Sequence, residues 1–330
     1  MSNLQHVAIG AINTESVVER AKANPETYHI LEDTLVNKSG QVALHQQFRA
    51  LFTLKNLKDH QSIDIIFKAF IDPSVLLRHE LAYVLGQIGD IYAIPGLTKI
   101  LDNLEEDPMV RHEAAEALGA LSHISALEVL EKYRNDPCVP VAETCQLAIE
   151  KIKFHNDEKL KENVPKGIVY TSNDPAPGNT SKSLEQLREL YLNEELPLFE
   201  RYRAMFGLRN LGTDDAVKVL CEGFKDNSAL FKHEVAFVLG QMQNPAGAAA
   251  LIKALDDPNE APMVRHEAAE ALGSIATPEC LPVLQKYRND YMKVVAESCA
   301  IALDMYDYEQ SNEFQYTILP NVEEATSPKI

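Results

Sequence analysis

The chain predicts an all-α fold: a solenoid of stacked helical hairpins arranged as two pseudo-symmetric lobes of about four repeats each. Two spacings and one periodicity support this. His-Glu pairs recur at His79-Glu80 and His112-Glu113, 33 residues apart, which is the length of one helical-hairpin repeat. The same pairs return 154 residues later as His233-Glu234 and His266-Glu267. Between them, apolar residues follow a helical period, as in Val110, Ala114, Ala117, Leu118 and Leu121.

The duplication extends well beyond the pairs. Met109 to Gly119 (MVRHEAAEALG) returns unchanged as Met263 to Gly273, and Lys132 to Asp136 returns as Lys286 to Asp290. The offset holds without a gap from Leu44 to about Met305 in the second copy. Within each unit, Asp72-Pro73, Asp107-Pro108 and Asp136-Pro137 predict helix starts, with Asp as the cap and Pro in the first turn. Amphipathic helices precede them, for example Ile63 to Phe70 and Ala93 to Leu101. The hairpins of the first half fall near 31–57, 60–88, 92–121 and 124–152.

These repeats give a lobe over residues 1–153 and a second over 184–306. The first fifteen or so residues are ambiguous. Residues 154–183 are rich in Asn, Pro, Gly, Ser and Lys and lack helical periodicity, which predicts a flexible linker, and 307–330 read as a tail. The chain of 330 residues is 45% hydrophobic, enough for a large core. It has no long apolar run and no leader-like N-terminus, which predicts a soluble intracellular protein with no membrane partner. Five scattered cysteines without CxxC spacing argue against a disulfide framework or a thiolate zinc site. A net charge of −18 argues against nucleic acid as a partner and would steer a basic protein partner toward the surface, although taken alone it is better read as conferring solubility.

On a helical wheel with about 100° per residue, Val110, Ala114, Leu118 and Leu121 form the core stripe and His112 lies roughly opposite. His79 stands in the same relation to Leu77, Leu81, Val84 and Leu85. Each histidine should therefore face the groove that the second helices of the hairpins line. A glycine follows each by seven residues (Gly86, Gly119, Gly240, Gly273). Two readings stay open for these glycines: they keep the groove clear for a ligand, or they help end their helices.

A single groove-facing histidine is ordinary surface, but four His-Glu pairs at equivalent positions indicate a metal site. Two imidazoles and a carboxylate per half match the facial triad of non-haem Fe(II) oxygenases. Two such halves would bring two metals face to face. Glu-x-x-His pairs of helical-bundle di-iron proteins and the HExxH zincin motif are both absent, although zinc remains chemically possible.

With its four intact pairs and RHEAAEALG in both halves, the chain from about 31 to 305 resembles the deoxyhypusine hydroxylases, HEAT-repeat di-iron monooxygenases. That resemblance implies oxygenation by O2, as co-substrate, at two Fe ions. The substrate would be the deoxyhypusine side chain of a eukaryotic translation initiation factor, completing hypusine biosynthesis in the cytoplasm, with the nucleus as a second compartment. It implies that His79, His112 and Glu113 hold one iron and that His233, His266 and Glu267 hold the other. Glu80 and Glu234 would hold the amines of the substrate, with ligation as their alternative. Glu116 and Glu270 are further groove-side candidates. The competing reading is a non-enzymatic HEAT-repeat scaffold with a structural metal. A chromophore-attachment protein like the bilin lyases has no need of eight ligands.

Overall fold

Helix-start chemistry sets the repeat, and its details differ from the Asp-Pro expectation. The computed structural model describes residues 24–157, 170 and 172–311; the first segment of the chain, most of the expected tail and residues 158–169 of the expected linker lie outside the described residues. Asp107 caps its helix as expected, accepting from the Met109 amide with Pro108 in the first turn. Asp72 and Asp136 do not. Their helices begin at Val75 and Val139, two residues after the prolines, and the carboxylates instead accept from the amides of Ser74 and Cys138. The reason is a second duty: the other oxygen of Asp136 takes Arg111 at 2.7 Å, and that of Asp72 takes Gln47 at 2.9 Å.

The first lobe runs α1 (Pro25–Val36), α2 (Leu44–Leu57), α3 (His60–Lys68), α4 (Val75–Ile88), α5 (Ile94–Asp102), α6 (Pro108–Ala120), α7 (Leu127–Tyr133) and α8 (Val139–Asn156). The second repeats it as α9 (Leu184–Leu192), α10 (Leu198–Leu211), α11 (Asp214–Glu222), α12 (Ala229–Met242), α13 (Ala248–Asp256), α14 (Pro262–Ile275), α15 (Cys280–Tyr287) and α16 (Lys293–Glu309). Even-numbered helices form the inner layer of each lobe. The last helix of each lobe runs slightly past the boundary expected from sequence.

A buried arginine ties each of three hairpins to its neighbours. Arg111 donates to the Leu101 carbonyl of the preceding outer helix and to Asp136 of the following turn. Arg265 does the same with Leu255 and Asp290, and Arg201 with Tyr191 and Asp226. These guanidiniums are almost fully buried yet paired, which is the condition for burying a charge.

The four recurring glycines do not end their helices, and Gly240 lines the cavity between the lobes, as the open-groove reading expects. The C-cap positions belong to Gly89, Leu121, Gln243 and Ala276 instead. A Cβ at Gly119 would meet Ala148 Cβ at 2.7 Å, and one at Gly273 would meet Ala302 Cα at 2.7 Å. Glycine is there so that neighbouring inner helices can touch backbone to backbone, pairing α6 with α8 and α14 with α16.

The two lobes close head to tail. Helix α8 packs on α10 and α12, and α16 packs on α2 and α4. Ser228 Oγ donates to Glu143 at 2.7 Å, and its counterpart Ser74 Oγ donates to Glu297 at 2.8 Å. Arg49 reaches Asp304 across the same seam. Closure turns the two grooves toward each other and buries them. Part of the expected flexible linker is also packed. Asn173 donates to the Gly86 carbonyl at 3.1 Å, Asp174 pairs with Arg209, and Ala176 is fully buried. Proline and glycine erase helical periodicity there without preventing docking. Among the described residues no helix is long and apolar enough to cross a membrane.

Candidate metal and substrate centre

Inner helices α4, α6, α12 and α14 deliver one His-Glu pair each to the seam between the lobes. The face opposite the core stripe meets the other lobe, so all eight side chains are buried. Imidazole centroids lie 5.4 Å apart for His79 and His112, 5.2 Å for His233 and His266, and 5.1 Å for His79 and His266 across the seam. His79 Nε2 stands 3.4 Å from Glu113 Oε2, and His233 Nε2 stands 3.4 Å from Glu267 Oε2. The two-fold relation read from sequence is thus reproduced in the geometry.

Ligand atoms of His79, His112 and Glu113 fall within 4.8 Å of one another, as do those of His79, His233 and His266. A third such cluster joins His266 and Glu267 to Glu270, which Ser298 holds by a 3.0 Å hydrogen bond. The triad of the first lobe therefore comes together as one cluster. That of the second lobe is distributed over two, one of which borrows His79 from the first lobe. Glu80 and Glu234 line the adjoining cavity and belong to none of the three clusters.

This donor set suits a metal. Both ring nitrogens of His79, His112 and His233, and Nε2 of His266, are buried without a hydrogen-bond partner. A buried unsatisfied polar atom costs about 1–3 kcal/mol, so seven in one place require an explanation other than packing. Burial lowers all four imidazoles below their ordinary value and so leaves them neutral, the form that ligates. Burial pushes Glu80 and Glu113 up to about 8, and raises Glu116, Glu234, Glu267 and Glu270 as well. Four buried carboxyls, with the half-buried Glu116 and Glu270 beside them, around four neutral imidazoles make a pocket that cations would discharge.

A cavity of about 330 Å³ opens from this centre past Phe52, Tyr83, Phe237 and Met305. Tyr83 and Phe237, equivalent at the 154-residue offset, meet edge to face at 5.9 Å. Lys55 lies over the Phe52 and Tyr83 rings, and burial lowers its pKa. These wall residues were not singled out from sequence, although the offset that pairs Tyr83 with Phe237 and Phe52 with Phe206 was a usable signal.

A profile described as HEAT repeats matches residues 63–150 and 217–304, and one described as PBS lyase HEAT-like repeat matches 200–226. The deoxyhypusine hydroxylase of Candida albicans is 53% identical over 299 residues, covering 87% of this chain and 94% of its own length. The chain belongs to the deoxyhypusine hydroxylase family. The human deoxyhypusine hydroxylase is 50% identical over 276 residues, 83% of this chain and 89% of its own. The solved structure of human deoxyhypusine hydroxylase in complex with glycerol superposes with a TM-score of 0.81 at 46% identity, covering 91% of this chain and 100% of that one. The HEAT-repeat architecture and the enzyme class thus agree with the sequence reading, and nothing in the comparisons favours the non-enzymatic scaffold. In this hydroxylase the buried histidines and glutamates are compatible with a metal centre.

Proposed function

We propose that the chain is a deoxyhypusine monooxygenase acting in the cytoplasm on a translation initiation factor that carries deoxyhypusine. The observation that carries the reading is the quartet of buried, neutral imidazoles meeting across the lobe seam, with seven of their eight ring nitrogens lacking a hydrogen-bond partner and carboxyls set against them. His79, His112 and Glu113 would hold one iron and His233, His266 and Glu267 the other, with Glu270 close enough to His266 and Glu267 to join them. The two irons, when bound, would supply the dioxygen activation by which one oxygen atom enters a substrate C–H bond.

The remaining work falls to this chain's own side chains. Deoxyhypusine is a lysine extended by a butylamine, so it presents a long alkyl run interrupted and ended by cationic nitrogens. Glu80 and Glu234, which line the cavity outside the tight clusters, would accept hydrogen bonds from those nitrogens. Phe52, Tyr83 and Phe237 offer an apolar and cation–π wall for the chain between them. Protons held by Glu80 and Glu113 at neutral pH would leave as cations arrive, which couples binding to discharge of the pocket. A substrate side chain filling the cavity would keep bulk water from the reacting carbon.

The test is direct. Protein purified with iron is given a deoxyhypusine peptide, dioxygen and a reductant, and the peptide mass is followed. Gain of one oxygen atom, dependent on iron, is expected. An iron-replete protein that leaves the peptide unchanged, with the peptide shown to bind, would overturn the reading.

A further inference from the structure

The internal two-fold should give the centre two equivalent side mouths, and among the described residues these two differ; a separate cavity of about 430 Å³ reaches His112 along the axis, between Met109 and Met263. The offset of 154 maps Phe52 on Phe206, Ser274 on Ala120, and Met305 on Lys151. On the Met305 side lies the cavity of about 330 Å³ already described. On the other side, where Glu116 and Lys151 stand for Glu270 and Met305, the cavity between Gly119, Thr144 and Ala148 holds about 10 Å³. Two things fill it: Lys151 in place of Met305, and Pro175 of the segment that joins the lobes. We propose that residues 172–178 seal the second of these two mouths, so that of the symmetry-related approaches the substrate side chain takes the one past Phe52 and Met305.

The segment is anchored to both lobes. From the first lobe, the Gly86 carbonyl and Gln87 Oε1 accept from Asn173 at 3.1 and 2.9 Å. From the second, Arg209 grips Asp174 with two nitrogens at 2.6 and 2.8 Å, and Gln241 donates to Ser172 at 3.0 Å. Arg209 has no exposed surface, so its pairing with Asp174 is enclosed rather than a screened surface contact. A Cβ on Gly178 would strike the Phe206 backbone at 2.9 Å, so the segment lies directly on the helix that forms the rim. Asn179 continues the attachment, donating its amide to the Arg203 carbonyl. Among the described residues the Met305 side has no such cover. The consequence is directional: a substrate nitrogen enters from one side of an otherwise symmetric centre, and water is excluded from the other.

The inference rests on reading the cavity as a substrate site, but its first test does not. The chain contains no tryptophan, so a single indole can report access. Phe52→Trp places one at the open mouth and Phe206→Trp one at the sealed mouth, and acrylamide quenching is measured on the full chain. Phe52→Trp should be quenched severalfold more readily than Phe206→Trp. Loosening the segment by Asn173→Ala with Asp174→Asn, or by Ala176→Glu, should raise quenching of Phe206→Trp severalfold and leave Phe52→Trp unchanged. Iron-loaded protein supplies the second arm: either loosening should speed iron removal by EDTA, and Met305→Trp should slow it. Equal quenching at the two indoles in the otherwise unaltered chain would overturn the seal. So would unchanged quenching of Phe206→Trp in loosened chains that fold normally and are cut faster by protease within the segment. A chain that retains no iron would defeat the proposed function while the indole measurements still decide the seal.

Discussion

Replacing Gly273 by alanine tests whether the backbone contact between inner helices sets the geometry of the centre. The new Cβ would sit 2.7 Å from Ala302 Cα and 2.8 Å from its carbonyl oxygen, whereas ordinary contact begins near 3.4 Å. Both obstacles are backbone, so α14 and α16 must part by about 0.7 Å, the difference between those distances. Helix α14 carries His266 and Glu267, and ligand distances tolerate only about 0.2 Å of error. Overpacking of this kind costs about 1–3 kcal/mol. At about 2–4 °C per kcal/mol for a large domain, a melting point lower by on the order of 5 °C is expected. Gly273→Ala should also lose iron from the second-lobe position. Calorimetry and metal analysis on the same preparation measure both. Gly96→Ala is the control, because its Cβ would strike the Phe67 ring between outer helices, away from the centre. It should lower the melting point and spare the iron. If Gly273→Ala melts within a degree of the unaltered protein and keeps its iron, the close-approach argument is wrong.

Other expectations follow from the same geometry. His79→Ala and His233→Ala should each lose iron, read by metal analysis; full iron in either would defeat the ligand assignment. Glu80→Ala should keep most of its iron but bind a deoxyhypusine peptide about one to two decades more weakly, the loss of a charge-assisted hydrogen bond worth roughly 1.5–3 kcal/mol. Its calorimetric titration distinguishes that from iron loss. Metal-free protein should lose stability as pH rises from 6.5 toward 8. Glu80 and Glu113 have folded pKa values raised to about 8 from 4.5, so their contribution is full below 4.5 and disappears as pH rises through 8. The lowered histidines act the opposite way, costing stability only as pH falls below 6.5. Iron uptake at pH 7 should accordingly release protons to an indicator dye, and uptake without release would refute the assigned protonation. Asp290→Ala should destabilise by about 3–5 kcal/mol, because Arg265 would be left buried without its partner, and denaturant melts measure it.

The repeat text made most of the fold legible, because hairpin length and the apolar stripe are local properties of each helix. His112 could be placed opposite Val110 on a wheel, and it lies where that angle puts it. Closure of the lobes could not be read the same way. The Ser74–Glu297 and Arg49–Asp304 contacts join residues more than two hundred positions apart, and no periodicity encodes such a seam. The glycines were visible but their meaning was not, since the alanines they meet lie on the next inner helix. Asp136 looked like a helix cap because its second partner, Arg111, is distant in sequence. Asp174 carried no signal at all: a docked coil and a free one have the same composition.

The reciprocity of the seam has a consequence for what each half is free to become. Ser74 to Glu297 and Ser228 to Glu143 are one contact made twice, the relation found across an isologous dimer interface. In a true homodimer any substitution appears on both sides of the axis, so both approaches to a shared centre must stay alike. Fused into one polypeptide, the halves can diverge singly: methionine at 305 against lysine at 151, lysine at 55 against arginine at 209. Covalent fusion thus permits a polarity that symmetry forbids, and a centre built from matched ligands can still tell its front from its back.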